Sequence, residues 1–244
     1  MAVYTHLGAE QLAELIAAYD VGELVSAKGI AEGVSNSNWL IETTGADGAS
    51  ADGASADGAS AHGTSARFIL TMYERRIELS DLPFFLSLLD HLAAKGCPVP
   101  RTIHDRTGAA YRMIGHKAEA LIEYLPGVSV DHPTADQALS VGRALAQMHL
   151  SVSDFRDKRD QSMGLSEWDA AINRCGAEAL TTIDPALADF AFGELSLLAG
   201  DWPSGLPHGV VHCDLFPDNV LMLGDEVSGL IDFYFAATDC FAYD

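Results

Sequence analysis

Oxygen-bearing side chains are concentrated in one stretch of the chain, HGVVHCDLFPDNVLMLGDEVSGLIDF, which runs from His208 to Phe233. Asp214, Asn219 and Asp232 stand among its short apolar runs. Carboxylate and amide oxygens suit Mg²⁺, which commonly binds one or two protein side chains together with a nucleotide's phosphates. A further carboxylate nearby can accept a proton from an attacking hydroxyl group. The stretch therefore predicts proton transfer beside a metal-bound phosphate.

The spacing of these residues adds specificity. His212, Asp214 two residues later and Asn219 five residues after that match H-x-D-x4-N, the catalytic-loop pattern of kinases. Asp232 follows thirteen residues on and opens the tripeptide DFY, where kinases carry a Mg²⁺-binding Asp-Phe-Gly. The Asp-to-Asn spacing alone arises by chance in about every other chain of this size, but the earlier His reduces this to roughly one chain in a hundred. The alternative is an ordinary hairpin with polar ends.

Two histidines of the stretch suggest a rival, a metal-dependent hydrolase. His208 and His212 are spaced H-x3-H, which chelates one metal ion when it lies on a helix. The intervening GVV favours a strand, in which four residues span about 13 Å. Two histidines so far apart could not bind the same ion, so His212 is interpreted as a hydrogen-bonding residue that orients the loop.

The local pattern positions the three oxygen-bearing side chains. GVVH and NVLML are typical of short strands, GDE of a turn, and VSGLID of the returning strand. Asp214 then lies on the loop, Asn219 begins one strand and Asp232 ends the other. Because both strand ends lie away from the turn, the three side chains are expected to meet at one mouth of the hairpin.

The part of the chain before residue 125 predicts a sheet with one packed helix. LVSAKGIAEGVSNSNWLIETT indicates two strands around a polar glycine turn, and RFILTMYE, AYRMI and AEALIEYLPG indicate three more. The helix SDLPFFLSLLDHLAAKG is expected to be N-capped by Ser80 and ended by Gly96. The last strand stops at a break formed by Pro126 and Gly127.

The rest of the chain predicts mainly helices. A long helix is expected after an N-cap near Thr134, and SEWDAAINRCGAEAL and DPALADFAFGELSLLAG predict two more. The hairpin stretch follows them. The change of composition predicts two lobes, residues 1–125 and 126–244, with the seam near residues 123–128.

A pentapeptide repeat of small residues interrupts the N-terminal part. Residues 46–65 are ADGAS three times and then AHGTS. Such a sequence cannot bury enough apolar area to offset its ordering entropy, so residues 45–66 are expected to be disordered. A solenoid is the alternative, but solenoid repeats are longer and carry a hydrophobic position. Since the repeat lies between two predicted strands, we expect it to extend a hairpin tip, where insertions are tolerated.

Composition excludes several classes of protein. A net charge of −21 over 244 residues argues against binding to nucleic acid or to anionic membranes. No apolar run could span a bilayer, and the first residues lack the basic segment of a secretory signal. The four cysteines are scattered without a CxxC pair, which argues against zinc ribbons and disulfide frameworks. A cytoplasmic location is expected.

At these residues the chain resembles the aminoglycoside-phosphotransferase-like family of small-molecule kinases, and within it most closely the bacterial homoserine kinases of this fold. The similar segments cover nearly the whole chain apart from the repeat: EGVSNSNWLIETT, RFILTMYERR, LPFFLSLLDHLAAKGCPVP, ALIEYLPG, GRALAQMHL and GVVHCDLFPDNVLMLGDEVSGLIDFYFA. The resemblance implies an α+β, protein-kinase-like, two-lobed fold. Its N-terminal lobe would be an antiparallel sheet plus a helix, and its C-terminal lobe mainly helical with short hairpin strands.

The resemblance also implies roles for individual residues. Asp214 would be the catalytic base, and Asn219 and Asp232 would hold Mg²⁺ against the phosphates of ATP. The loop from Gly29 to Asn38 would cover the phosphates. Its expected nucleotide-binding residues are Gly29, Gly33, Ser35 and Asn36. Glu123, Tyr124 and Leu125 would form the hinge that contacts adenine, largely through backbone groups. The alternative for the two glycines is an ordinary turn; no Walker A sequence is present.

Three departures from the family pattern stand out. Thr71 falls about where kinases carry a phosphate-pairing Lys, and Arg67, on the same strand face, is the expected substitute. Arg75 and Arg76 are weaker candidates, and all three arginines could instead be solvated surface charges. The glycine loop is G-x3-G rather than G-x-G-x-x-G. The chain ends at Asp244, where the family continues through further helices, so the resemblance predicts a C-terminally incomplete lobe.

The leading hypothesis is an ATP- and Mg²⁺-dependent kinase that phosphorylates the hydroxyl of L-homoserine, on the route to threonine. The acceptor depends on the resemblance alone. Choline, an aminoglycoside or a sugar are the alternatives within this class, and a choline kinase would be expected to line its pocket with aromatic side chains. A non-catalytic nucleotide-binding module is the alternative from another class, because the expected Lys is missing.

Overall fold

The computed structural model describes residues 7–30, 36–45, 65–74 and 77–244. Its helices are α1 (Ala9–Ile16), α2 (Leu82–Ala94), α3 (Ala135–Ser151), α4 (Leu165–Ile183) and α5 (Leu187–Asp201). Its strands are β1 (Leu24–Ile30), β2 (Asn36–Thr43), β3 (Ala66–Tyr73), β4 (Thr102–Ile103), β5 (Arg112–Ile114), β6 (Lys117–Glu123), β7 (His208–Val211), β8 (Val220–Leu223), β9 (Glu226–Leu230) and β10 (Ala237–Cys240).

The N-terminal strands form one antiparallel sheet in the order β1-β2-β3-β6-β4, with β5 paired to β6. Strands β2 and β3 pair from Asn36 opposite Tyr73 to Thr43 opposite Ala66. This pairing confirms that the pentapeptide repeat connects two neighbouring strands. The predicted disordered segment lies outside the described residues over 46–64, while Ala66 already belongs to β3.

The two faces of the sheet bury different clusters. One face, which includes Trp39 and Leu70, packs against α1, and we call it the α1 face. The opposite face, which includes Tyr73, Ala118 and Ala120, packs against α2, and we call it the α2 face. The cluster on the α2 face also takes in residues from α3, β7, β8 and β9. It therefore packs the sheet against the C-terminal part of the chain, across the predicted lobe boundary at residue 125.

Two of the helix ends predicted from the sequence are confirmed, and one predicted N-cap is wrong. Thr134 caps α3 as predicted, because its hydroxyl accepts from Gln137 N at 3.2 Å. Gly96, with φ +77, follows the end of α2 as predicted. The predicted N-cap Ser80 is wrong by one residue, since α2 begins at Leu82 and Asp81 is the N-cap. The Asp81 side chain makes no capping bond and instead accepts from Arg159 Nε at 2.7 Å.

The C-terminal part is mainly helical and carries two short strand pairs, β7 with β10 and β8 with β9. These features agree with the predicted α+β class. None of the helices in the described ranges is long and apolar enough to cross a membrane. The division into residues 1–125 and 126–244 stays a prediction.

Candidate active site

The loop between β7 and β8 holds Asp214 and Asn219 against each other. The Asn219 amide donates from Nδ2 to the Asp214 carbonyl at 2.7 Å and to its carboxylate Oδ2 at 3.1 Å. Backbone bonds tighten the loop, because Phe216 N donates to Asp214 O and Asn219 N donates to Phe216 O, both at 2.9 Å. Pro217 starts the 3-10 turn that ends at Asn219, a position that suits its fixed φ. A carboxylate and an amide five residues apart are thus in direct contact.

Asp232 lies beside this pair, after the returning strand. Ile231 N donates to Asn219 O at 3.0 Å, which extends the β8–β9 pairing to the residues that flank it. Asn219 therefore precedes β8 and Asp232 follows β9, each just outside the strand that the sequence assigned to it. Asp232 adopts φ 65 and ψ 56, a left-handed conformation that Asp tolerates better than most residues with a side chain.

The carboxylates at this mouth repel one another. Desolvation by neighbouring atoms raises the pKa of Asp232 to about 6, and the negative charges of Asp214 and Asp218 add to the effect. Asp232 nevertheless keeps solvent-exposed surface, so we interpret its carboxylate as enclosed on one side and open on the other. A bound cation would offset this repulsion and lower the pKa.

The oxygen atoms at the mouth suit a hard cation. Because Asn219 Nδ2 is committed to Asp214, the Asn219 Oδ1 atom is the one that can face a metal. The Asp232 carboxylate offers a second ligand. Over the described part of the chain, no group of three or more His, Cys, Asp or Glu side chains could hold a metal ion by itself. The arrangement fits an ion such as Mg²⁺, which completes its shell with water and phosphate oxygens.

His212 joins the two sides of the mouth. Its ring is fully buried, Nε2 lies 2.9 Å from Ile231 O, and Nδ1 lies 3.3 Å from Asp214 N. These contacts require an Nε2–H donor and an Nδ1 acceptor, which is the neutral ring. Burial lowers the His212 pKa, in agreement with that form. His212 thus positions the loop, and its occupied nitrogens argue against the metal-hydrolase alternative with His208.

Asp244 is a site residue that sequence reasoning missed. Its carboxylate accepts from His212 N at 2.8 Å, Cys213 N at 2.7 Å and His149 Nε2 at 2.8 Å. Burial would raise the Asp244 pKa, but these hydrogen bonds hold it below the usual value. Cys213 has φ +66, which most residues avoid, and the bonds to Asp244 help to hold it there. The only available signal was the general need of buried loop amides for an acceptor.

The predicted hinge follows β6 directly. The Glu123 carboxylate binds Arg101 through Nε and Nη2, both at 3.1 Å, so its side chain is occupied. Leu125 packs against Gly229 of β9. After the Pro-Gly break, Val128 exchanges backbone bonds with Met222 of β8, at 3.1 and 2.9 Å. The segment from Glu123 to Leu125 is thereby held beside the β8–β9 hairpin, and its role as an adenine-contacting hinge stays a prediction.

Arg67 lies at the hinge end of β3. Its guanidinium carbon is 4.4 Å from the centroid of the Tyr124 ring, a cation–π contact. Thr71 is four residues further along the strand, about 13 Å away. Arg67 as a substitute for the missing Lys stays a prediction, and its contact with Tyr124 places it beside the predicted hinge.

The predicted phosphate loop is shorter than the sequence suggested. Gly29 is a strand residue of β1 opposite Trp39, and β2 already begins at Asn36. The prediction of a loop from Gly29 to Asn38 is therefore wrong at both ends. Gly33 and Ser35 lie outside the described residues, as do Arg75 and Arg76. Asn36 is buried, and its Oδ1 has no hydrogen-bond partner in the described part of the chain.

Two tyrosines occupy the region where the resemblance places the lysine. Tyr73 and Tyr234 share a hydrogen bond at 3.0 Å between their hydroxyl oxygens, and Tyr234 also shares one with Thr71. The Tyr234 ring lies edge-on to Phe85 of α2, with centroids 5.8 Å apart. Desolvation, strengthened by the negative charge of Asp232, raises the pKa of Tyr234 far above its usual range. The third residue of DFY thus links the sheet to the end of the hairpin that carries Asp232.

An open depression lies beside Asp214. Asp131, Asp214, Phe216, Pro217 and Asp218 line it. Phe216 is 64% exposed, and it is the single aromatic side chain in this lining. The depression is open to solvent and reaches Asp214.

Comparison with known proteins identifies relatives over the whole chain. A family model described as the phosphotransferase enzyme family matches residues 26–244. The homoserine kinase of Nitrobacter winogradskyi is 45% identical over 244 residues, which are 100% of this chain and 68% of that protein. The homoserine kinase of Xanthobacter autotrophicus is 42% identical over 244 residues, 100% of this chain and 70% of that protein.

A solved structure supports the fold. The crystal structure of a spectinomycin phosphotransferase in complex with ADP and spectinomycin superimposes with a TM-score of 0.69 at 15% identity. The match covers 98% of this chain and 73% of that one. At this identity the likeness concerns the fold alone, and it agrees with the kinase-like, two-part arrangement predicted from the sequence.

Proposed function

The chain belongs to the phosphotransferase enzyme family, and from this premise we propose that it transfers the γ-phosphoryl group of ATP to the side-chain hydroxyl of L-homoserine. The product would be O-phospho-L-homoserine, an intermediate on the route to threonine. The observation that carries the chemistry is the contact between Asp214 and Asn219 beside the crowded carboxylate of Asp232. The choice of acceptor depends on the relatives, which are 40–45% identical over the full length of this chain.

In the proposed reaction Asp214 is the base. The acceptor reaches it through the depression and places its hydroxyl proton on the Asp214 carboxylate. The hydroxyl oxygen bonds to the γ-phosphorus while the bond from that phosphorus to the β–γ bridging oxygen breaks, so ADP leaves and Asp214 later returns the proton to solvent. The Asn219 amide fixes the carboxylate through the 3.1 Å bond to Oδ2, which contributes by orientation rather than by covalent chemistry.

Two residues would hold the cation. Asn219 Oδ1 and the Asp232 carboxylate fit Mg²⁺, which when bound neutralises charge on the phosphate oxygens. His212 and Asp244 keep the loop in place from behind, since they touch its backbone and not the mouth itself. Glu123, Tyr124 and Leu125 would receive adenine through backbone groups, and Arg67 lies next to them on Tyr124.

The test is Mg²⁺-dependent ADP release from ATP, measured on this chain and on a version extended at its C-terminus to the length of the relatives. The acceptors are L-homoserine, choline, kanamycin and none. We expect release that only L-homoserine stimulates. Stimulation by choline or kanamycin alone would identify that compound, and not L-homoserine, as the acceptor. Nucleotide binding without turnover in either version would support the non-catalytic alternative that the missing lysine raises.

A further inference from the structure

Within the described ranges, β3 carries no lysine on the α2 face of the sheet, where the phosphates of a bound nucleotide would lie. Thr71 stands at the expected lysine position, and its hydroxyl is taken by the hydrogen bond with Tyr234. Arg67 is four residues away and stacks on Tyr124. Lys117 precedes Ala118 on β6, so it projects from the opposite face of the sheet, where it pairs with Glu74. Among the residues that the structure describes, a phosphate-pairing cation on this face would therefore come from another strand.

Pairing across the sheet brings one lysine to this face. Asn38 is opposite Thr71 on β3 and opposite Ile30 on β1, while Lys28 is opposite Leu40. Residues directly opposite each other in antiparallel strands project from the same face. Lys28, Asn38 and Thr71 therefore share the α2 face. Lys28 is the diagonal neighbour of Asn38, at about 7–8 Å, which is within reach of a long side chain.

Two acceptor atoms on this face lack donors. Asn36 Oδ1 and Asn38 Oδ1 are buried, and neither has a hydrogen-bond partner in the described parts of the chain. Buried polar atoms without a partner are rare, and they commonly mark a bound water, ion or ligand. Lys28 carries three N–H donors, is exposed, and makes no ion pair within the described ranges. The unsatisfied acceptors and the available donor thus lie on the same face, next to each other.

We propose that Lys28 supplies the phosphate-pairing charge from β1. Asn38 Oδ1 accepts a hydrogen bond from the Lys28 ammonium group and holds that group over the nucleotide. This inference rests on the proposed function, because it needs a nucleotide whose phosphates lie under β1 and β2. It assigns to the first strand the role that the third strand has lost at Thr71. The site would take any nucleoside di- or triphosphate with its cation and would not contribute to binding of the unphosphorylated nucleoside.

Calorimetric titration of wild type and variants with Mg·ATP, Mg·ADP and adenosine tests the proposal. Lys28→Met should weaken ATP and ADP binding about ten- to hundredfold, because a charge-assisted hydrogen bond is lost. It should leave adenosine binding within about twofold, a result that a general loss of structure would not give. Lys28→Arg should retain most of the ATP affinity. Lys158→Met, which removes the same charge at an exposed position after α3, is the matched control and should bind like wild type.

A double-mutant cycle tests the role of Asn38. Asn38→Ala should weaken ATP binding several-fold in wild type and add little in Lys28→Met, since the two residues would act together. ATP binding within twofold of wild type in Lys28→Met, or an equal loss for adenosine, would overturn this inference and leave the proposed function standing. A wild-type protein that binds neither ATP nor ADP would overturn both.

Discussion

At the residue scale, Asp232 is a carboxylate whose ionisation opposes the stability of the fold. It lies beside Asp214 and Asp218, and desolvation together with these charges raises its pKa to about 6. Its left-handed backbone adds local strain. An arrangement of this kind is unfavourable for the empty protein and favourable once a cation binds between the oxygens.

We expect Asp232→Asn to raise the melting temperature at pH 8 and to abolish Mg·ATP binding. The pKa of Asp232 is higher in the folded than in the unfolded chain, so its ionisation destabilises the fold. That penalty is complete above about pH 6 and absent below the ordinary Asp value, where both states are protonated. Differential scanning fluorimetry between pH 3.5 and 8 should show that the increase in melting temperature becomes smaller as pH falls. The control Asp225→Asn, in the exposed β8–β9 turn, should not change the melting temperature. A lower melting temperature at pH 8 would contradict the account.

Glu119 gives a second pH dependence, far from the mouth. It is fully buried on β6, and its two carboxylate oxygens each lie 3.4 Å from the Tyr19 hydroxyl. Desolvation raises its pKa to about 7, although Arg112 opposes the shift. Ionisation of this carboxyl group therefore destabilises the fold.

Glu119→Gln should stabilise the protein by roughly 3 kcal/mol at pH 8, since the pKa is raised from 4.5 to about 7 and one pKa unit corresponds to about 1.4 kcal/mol. The gain should be lost as pH falls from about 7 to the ordinary Glu value, because the carboxyl is then neutral in wild type as well. Urea unfolding at pH 8 and pH 4.5 measures it. Glu178→Gln on the exposed surface of α4 is the control. A stabilisation that is the same at both pH values would refute the titration argument.

At the scale of elements, the loop that carries Asp214 depends on packing between β7, α3 and the last turn. Phe241 stacks on His149 of α3, with ring centroids 4.4 Å apart, and His149 donates to Asp244. A Cβ added to Gly209 of β7 would lie 2.5 Å from the Phe241 ring. The absence of a side chain at Gly209 thus allows the contacts that fix Asp244 under the loop.

Gly209→Ala should destabilise the protein by about 1–3 kcal/mol, as overpacking does, and should lower turnover by displacing Phe241. Gly142→Ala is the matched control, because Gly142 lies in α3 and a Cβ there would contact nothing within 4 Å. That substitution should stabilise by about 0.5–1 kcal/mol through helix propensity. Chemical denaturation measures the change in stability of each variant, and steady-state assays compare their turnover. Equal stability changes would show that the packing around Gly209 is looser than the structure indicates.

Across the whole molecule, sequence predicted what is local and missed what is distant. The proximity of Asp214 and Asn219 followed from five residues of a tight loop, and their approach to Asp232 followed from one hairpin. Contacts with no local pattern were not foreseen. Tyr73 meets Tyr234 across 161 residues of chain, and Asp244 reaches Cys213 across 31.

The sequence pattern also did not predict where the strands begin and end, because those positions depend on which strands pair. Gly29 reads as a loop residue by composition, yet its place opposite Trp39 keeps it in β1. Asn38 was predicted to belong to the loop because it is polar, but it lies within β2 opposite Thr71. The cross-strand register that brings Lys28 near Asn38 was likewise invisible until the sheet order was known.

The central claim is that this chain forms a phosphate ester on L-homoserine with Asp214 as the base. Phosphorus NMR of ATP, Mg²⁺ and L-homoserine with wild type and with Asp214→Asn tests it most directly, and calorimetry checks that both proteins bind ATP. We predict a new phosphomonoester signal that grows in step with ADP in wild type, and a rate about 10²–10⁴-fold lower in Asp214→Asn at similar ATP affinity. Inorganic phosphate without the ester, or equal rates in the two proteins, would contradict the account.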